Sequence, residues 1–330
     1  MRFSRFNNRW LQHSSGRMSV RSGVLLSLFA CTLLQAGEIR LSFLNDSSAL
    51  DSTLEFLSSK GCNEETIAFF RRAVEHYYVV PLNLDLTNFP PSENGFYSFH
   101  SMAQAVAALP HKLRDTPHAF ELNCFDTVII LAMEHFRSSL GPDDIFGTSL
   151  SLQMTNSNGA WVALNTATAR DAFEWSCPSW YRDASEGFIP PSWSDQRINL
   201  NAAIFRGYVL PSSTSEDNLP QNVLKTVSAN WKRQQVMFPQ NCQVVLCHEV
   251  RKGQAIFSTS HAGVLFESGR GYTFWEKDSG SGPFVRLDFD TRADLLFWLA
   301  SKMDAPEPPG RKRFFATFNN TEIEELSVGQ

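Results

Sequence analysis

Ser258-Thr-Ser-His261-Ala-Gly-Val-Leu-Phe266-Glu-Ser-Gly-Arg-Gly271-Tyr-Thr-Phe-Trp-Glu276-Lys-Asp278 is the stretch on which the reading of the fold turns. Two apolar runs flank Ser268-Gly-Arg-Gly271, whose glycines suit a tight reversal, so the segment reads as a β-hairpin. The register that follows sets Glu267 opposite Tyr272, Leu265 opposite Phe274, Gly263 opposite Glu276 and His261 opposite Asp278. Side chains that are directly opposed or diagonal share a face of such a pair. An imidazole at the edge of an apolar strand therefore meets two carboxylates, Glu276 on the diagonal and Asp278 directly across. A slip of one residue would send both acids to the other face.

The same alternation extends outward from the hairpin. Strands are expected over Gln243–Val250, Ala255–Ser260, His261–Glu267, Tyr272–Lys277 and Phe284–Phe289, then near Phe314–Phe318, with a helix near Arg292–Lys302. Upstream the period changes to that of helices. One runs from Ala49 to Ser59. A second runs from Glu64 to Tyr78, capped by Asn63, with Ile67, Phe70, Ala73, Val74 and Tyr77 on one face. A short one spans Ser101 to Leu109 and stops before Pro110. From Cys124, the apolar residues Phe125, Val128, Ile129, Ala132, Met133, Phe136 and Leu140 keep an i, i+3, i+4, i+7 rhythm. Helices first and an antiparallel sheet after them define an α+β fold. Residues 141 to about 240, rich in Trp and Pro and holding one helix from about Pro220 to Gln235, read as a large insertion that shapes a cleft.

At the N-terminus, Arg2, Arg5, Arg9, Arg17 and Arg21 precede the apolar run from Val24 to Ala36, a basic-then-apolar order that reads as an export signal over residues 1–36. Met18 is an alternative start. Cleavage after Ala36 leaves a soluble chain, whereas cleavage before Cys31, in Leu28-Phe-Ala-Cys31, resembles a bacterial lipid-attachment box and would anchor the protein to a membrane through Cys31. The run is shorter than the roughly 20 apolar residues that a spanning helix needs, so no transmembrane segment is expected after signal removal. Residues 37–330 then form a single domain in the periplasm or outside the cell.

Composition narrows the function. With 43% hydrophobic residues and a formal net charge of -5, the chain can build a core and carries no long basic run for a phosphate backbone, which argues against nucleic acid. There is no Gly-rich phosphate loop, dinucleotide fingerprint, His-Glu-x-x-His or Gly-x-Ser-x-Gly, so no cofactor is implied. Cys242-x4-Cys247-His248 lacks the paired knuckles of a structural zinc site and reads as strand or disulfide rather than metal. Without Cys31, five cysteines remain: Cys62, Cys124, Cys177, Cys242 and Cys247. Four can pair in an oxidising compartment while Cys124 stays free.

Cys124 falls at a helix start behind Asn123, a good N-cap, where free N–H groups and the positive helix end favour a thiolate. A lone cysteine is otherwise a small buried hydrophobe. The residues Asn123-Cys124, His261-x-Gly263-Val-Leu265 and Tyr272-x-Phe274-x-Glu276-Lys277 resemble an uncharacterised bacterial family of exported papain-like proteins. More remotely they resemble NlpC-type cell-wall peptidases, which carry Asp-Cys-Ser where this chain has Asn123-Cys124-Phe125. The resemblance covers Glu121–Arg137 and roughly 258–318. It implies a papain-like, NlpC-like core with an N-terminal helical layer on an antiparallel sheet. Cys124 would be the nucleophile, His261 the base and Glu276 the third residue, with Asp278 as alternative. Asn123 and His118 are candidates for oxyanion binding or positioning. The implied activity is an exported cysteine peptidase or amidase acting on peptide, with the peptide of the cell wall as the abundant substrate. Two other readings stay open: a catalytically silent envelope module that binds glycan or protein, and thiol-dependent acyl transfer.

Overall fold

The computed structural model describes residues 38–79, 84–109, 124–132, 136–139, 153–155, 161–163, 207–254, 256–269, 271–278, 282–303 and 312–327. The expected export signal with Met18 and Cys31, the positions His118 and Asn123, Cys177 and most of the expected insertion lie outside these residues. In chain order the elements are β1 (Ile39–Ser42), α1 (Ser47–Ser59), α2 (Glu64–Tyr77), β2 (Tyr97–Phe99), α3 (Met102–Ala108), α4 (Cys124–Ala132), β3 (Arg137–Ser138), β4 (Gln153–Thr155), β5 (Trp161–Ala163) and β6 (Gly207–Val209). They continue with α5 (Leu219–Arg233), β7 (Val236–Met237), β8 (Gln243–Arg251), β9 (Ile256–Ser268), β10 (Gly271–Lys277), β11 (Phe284–Phe289), α6 (Arg292–Met303), β12 (Lys312–Phe318) and β13 (Glu322–Leu326).

The chain is α+β with one large antiparallel sheet. Its order is β13-β12-β8-β9-β10-β11-β1-β2, and β6 pairs with the first part of β9. Central strands are apolar on both faces, because helices cover both. Val244 and Leu246 of β8, Val264 and Phe266 of β9 and Trp275 of β10 pack with α1, α2, α4 and α5. Val245, Leu265, Phe274, Val285 and Leu287 point the other way, onto α3 and α6. The helical layer expected at the N-terminus is therefore present as α1 and α2, but it is one of two layers.

Local chemistry explains the helix starts. Asp46 accepts from the Ser48 and Ala49 N–H groups ahead of α1, Asn63 Oδ1 accepts from Thr66 N at 2.7 Å ahead of α2, and Ser101 caps α3. Gly61, at φ 82°, turns the chain between α1 and α2 in the left-handed conformation that glycine adopts without strain.

Four expectations are corrected. A strand, β1, precedes the two opening helices; only four residues long, it shows little alternation. The rhythm read as helix to Leu140 overruns α4: Phe136 N still bonds Ala132 O at 2.7 Å, but Arg137 and Ser138 pair with β7. Phe136 is buried against Phe238 all the same, so burial preserved the apolar spacing where the helix did not continue. The acidic strand β13, Glu322-Ile-Glu-Glu-Leu326, was not expected; as an edge strand it is free to carry charge.

The fourth correction matters most for the site. The strands expected as Ala255–Ser260 and His261–Glu267 are one continuous strand, β9, kinked by a bulge. Cys247 pairs with His261 and His248 with Thr259, which leaves Ser260 as the extra residue. Period-2 alternation alone would put His261 on the face of Phe257 and Thr259. The inserted residue inverts the phase, so His261 turns to the α6 face. Ser260 Oγ secures the kink by donating to Cys247 O at 3.3 Å.

Candidate active site

The hairpin has the register read from the sequence: Tyr272 opposite Glu267, Phe274 opposite Leu265 and Glu276 opposite Gly263. Gly263 leaves room for the ring of Phe274, since a Cβ there would stand 2.2 Å from Phe274 Cζ. His261 and Glu276 thus face the same side on the diagonal, and His261 Nε2 lies 2.5 Å from Glu276 Oε2.

Asp278 falls in a different place from the one expected. β10 ends at Lys277, the Asp278 N–H donates to Pro283 O at 3.0 Å, and its carboxylate pairs with Lys302 instead of lying against His261. Of the two acids, Glu276 holds the histidine. Asp278 acts at one remove, because the strand bends away before it can reach across.

α4 packs against β9 and β10 and presents Cys124 as its first residue. Cys124 stands in hydrogen-bond contact with His261. Since Nε2 of the imidazole is engaged by Glu276, Nδ1 is the nitrogen left for the thiol. The helix start places a partial positive charge beside Cys124. Asp126, also in the first turn, is fully buried.

Electrostatics favour an ionised pair. Burial by itself lowers the histidine's proton affinity, but the Glu276 carboxylate and then Cys124 outweigh it, against opposition from Lys302, and push His261 up to about 9. Burial by itself raises Glu276; Lys302 and then His261 reverse that and bring it down to about 2. Both side chains are out of water, His261 at 3% and Glu276 at 0% exposure. Cys247, paired with His261 across the sheet, sits in the same field and is pushed up, first by burial and then by Glu276 and Cys124.

Three parts of this site carried no signal in the sequence. Trp298 Nε1 donates to Glu276 Oε1 at 2.9 Å, Lys302 Nζ lies 2.5 Å from the same oxygen, and Cys247 lines the far side. Trp298 and Lys302 are four apart on α6 and so share a face. That spacing was legible, but not that their face is turned toward Glu276.

No protein-family model, curated protein or solved structure matches the chain. What the site can do therefore rests on its own chemistry: a thiol at a helix start, an imidazole in contact with it, and a buried carboxylate behind the imidazole. Cys124, Cys242 and Cys247 are free thiols. Among the described residues, no group of three or more His, Cys, Asp or Glu side chains is arranged to hold a metal, and no helix is long and apolar enough to cross a membrane.

Proposed function

We propose that this protein is an exported, papain-like cysteine hydrolase, a peptidase or amidase that acts on peptide amides such as those of the cell wall. The observation that carries the reading is the grouping of Cys124, His261 and Glu276, with Cys124 beside the imidazole and His261 Nε2 2.5 Å from the carboxylate.

The chemistry follows the arrangement. His261 takes the thiol proton, and the thiolate attacks an amide carbonyl. Charge developing on the carbonyl oxygen is stabilised by backbone N–H groups at the start of α4. The imidazolium, held by Glu276, then protonates the departing amine. Water, deprotonated by the same histidine, releases the acyl group. The basic-then-apolar N-terminus supports export and with it a peptide substrate outside the cytoplasm.

A silent binding module is the second reading, and the low exposure of Cys124 (6%) and His261 (3%) favours it. Alkylation separates the two. Wild type and His261→Ala would be treated with iodoacetamide from about pH 5 to 9, bracketing the ordinary thiol value of about 8.5, with modified cysteines assigned by peptide mapping. Fast, His261-dependent labelling of Cys124 below pH 7 is expected. Slow labelling that rises only near pH 8.5 in both proteins would leave the binding module.

A further inference from the structure

The His261–Glu276 pair has more charge around it than a Cys-His-acid triad requires. Glu276 already has a neutral donor on Oε1, the Trp298 indole at 2.9 Å, and His261 on Oε2. Lys302 is added on Oε1 at 2.5 Å, and its Nζ is shared with Asp278. The lysine side chain is 11% exposed and that of Asp278 16%, so the second ion pair lies between the buried acid and solvent. A buried ammonium is costly unless paired, which Asp278 ensures. Asp278 and Glu276, in that order, hold Lys302 protonated well above its ordinary range against the effect of burial.

Among the described residues, the charged and titratable groups that face His261 come from four elements: Glu276 on β10 with Asp278 just beyond it, Lys302 on α6, Cys124 on α4 and Cys247 on β8. Without Lys302, two carboxylates would face one imidazolium. With it, the negative field at the ring is cut back, while Glu276 stays ionised and cannot itself take the histidine's proton.

We propose that Lys302 and Asp278 form a charge clamp on Glu276, Lys302 limiting and Asp278 relieving that limit, which sets the pH up to which His261 keeps its second proton. Lys302 is a positioning residue, acting on His261 only through Glu276 and the local field. The clamp deepens, and rests on, the assignment of His261 as the acid-base group. Its signature is a pair of opposite shifts. Removing the ammonium exposes His261 to both acids and raises its titration midpoint. Removing the outer acid leaves the ammonium's full field on the ring and lowers it.

The test is to titrate the full chain carrying isotope-labelled histidine and follow the ring nitrogens of His261 by NMR, with its signal assigned by its absence in His261→Ala. Wild type is compared with Lys302→Met, Asp278→Asn and Lys302→Arg, and alkylation of Cys124 is measured on the same samples. Lys302→Met is expected to raise the midpoint by about 1 pH unit, the scale of one nearby charge. Asp278→Asn should lower it by less, and Lys302→Arg should stay near wild type. Midpoints that do not move, or that move in the same direction in Lys302→Met and Asp278→Asn, overturn the clamp. Should Lys302→Met not fold, Asp278→Asn decides alone: an unchanged midpoint overturns the proposal and a lowered one upholds it. Opposite shifts with slow, His261-independent labelling of wild type would keep the clamp and remove the hydrolase reading. Fast, His261-dependent labelling with no shifts would do the reverse.

Discussion

Two histidines stand on neighbouring strands, His248 on β8 and His261 on β9, both nearly sealed from water at 0% and 3% exposure, and they end in opposite charge states. His248 sits on the α5 face among aromatic rings, 6.0 Å from Tyr208 and 5.9 Å from Phe257 between centroids. Its Nε2 lies 3.0 Å from Thr317 Oγ1 and its Nδ1 3.3 Å from Thr259 Oγ1. Because Thr317 Oγ1 also donates to Leu246 O, it accepts from His248, which is therefore protonated on Nε2 and accepts the Thr259 hydroxyl on Nδ1. Burial pushes this ring down to about 3, so it is neutral and partnered on both nitrogens. His261 suffers comparable burial, but a carboxylate 2.5 Å away reverses the outcome. Burial alone silences an imidazole; burial beside a buried acid arms one.

The largest effect should come from turning the second histidine into the first. Glu276→Gln keeps the shape and removes the charge. His261 is then expected to titrate below its ordinary value, as His248 does, and labelling of Cys124 at pH 6 should fall about 100-fold. Loss of one member of a buried ion pair should also cost about 3–5 kcal/mol, read from urea unfolding. A midpoint that stays above 6.5 would break the comparison.

The pH dependence of stability should separate the two rings by sign. His261 is raised when folded, so its contribution is complete below about 6.5 and is lost as pH climbs through about 9. His248 is lowered, so its neutral form stabilises above about 6.5 and that contribution is lost as pH falls toward about 3. Glu276, also lowered, adds to the loss below about 4.5. Each proton contributes a slope of at most about 1.4 kcal/mol per pH unit. His261→Gln should flatten the alkaline limb only and His248→Gln the acid limb, measured as unfolding free energy from pH 4 to 9.

Gly263→Ala probes the packing that lets the pair form. With Phe274 Cζ 2.2 Å from where the methyl would stand, a loss of about 1–3 kcal/mol is expected, with slower labelling of Cys124 if the ring is displaced toward His261. The smallest effect belongs to His248→Gln at Cys124 itself: less than about twofold in labelling rate, since His248 is neutral and both its ring nitrogens are engaged by Thr317 and Thr259.

The contrast between the rings also marks how far the sequence could be read. The diagonal of His261 and Glu276 was legible because a tight turn and alternating residues only a few positions apart set the hairpin register. The helix over Cys124–Ala132 was legible for a similar reason, from the apolar rhythm that runs through it. The choice between Glu276 and Asp278 was not, because it depends on β10 bending away at Asp278 and on Lys302 drawing that acid off. His248 gave no sign of its state either. Its neutrality comes from burial, in part beneath Tyr208, which is distant along the chain.

The sequence by itself determined the elements whose causes are local: the caps at Asp46, Asn63 and Ser101, the hairpin around Gly269, and the antiparallel strands that follow the helices. The tertiary structure alone decided which way His261 faces. Its strand reads as a simple alternation, and only the pairing of Cys247 with His261 and of His248 with Thr259 forces Ser260 out and sets the imidazole on the face opposite to Phe257 and Thr259, the one that Trp298 and Lys302 cover. A bulge is a mismatch between two strands, and a mismatch has no signature in either strand read alone.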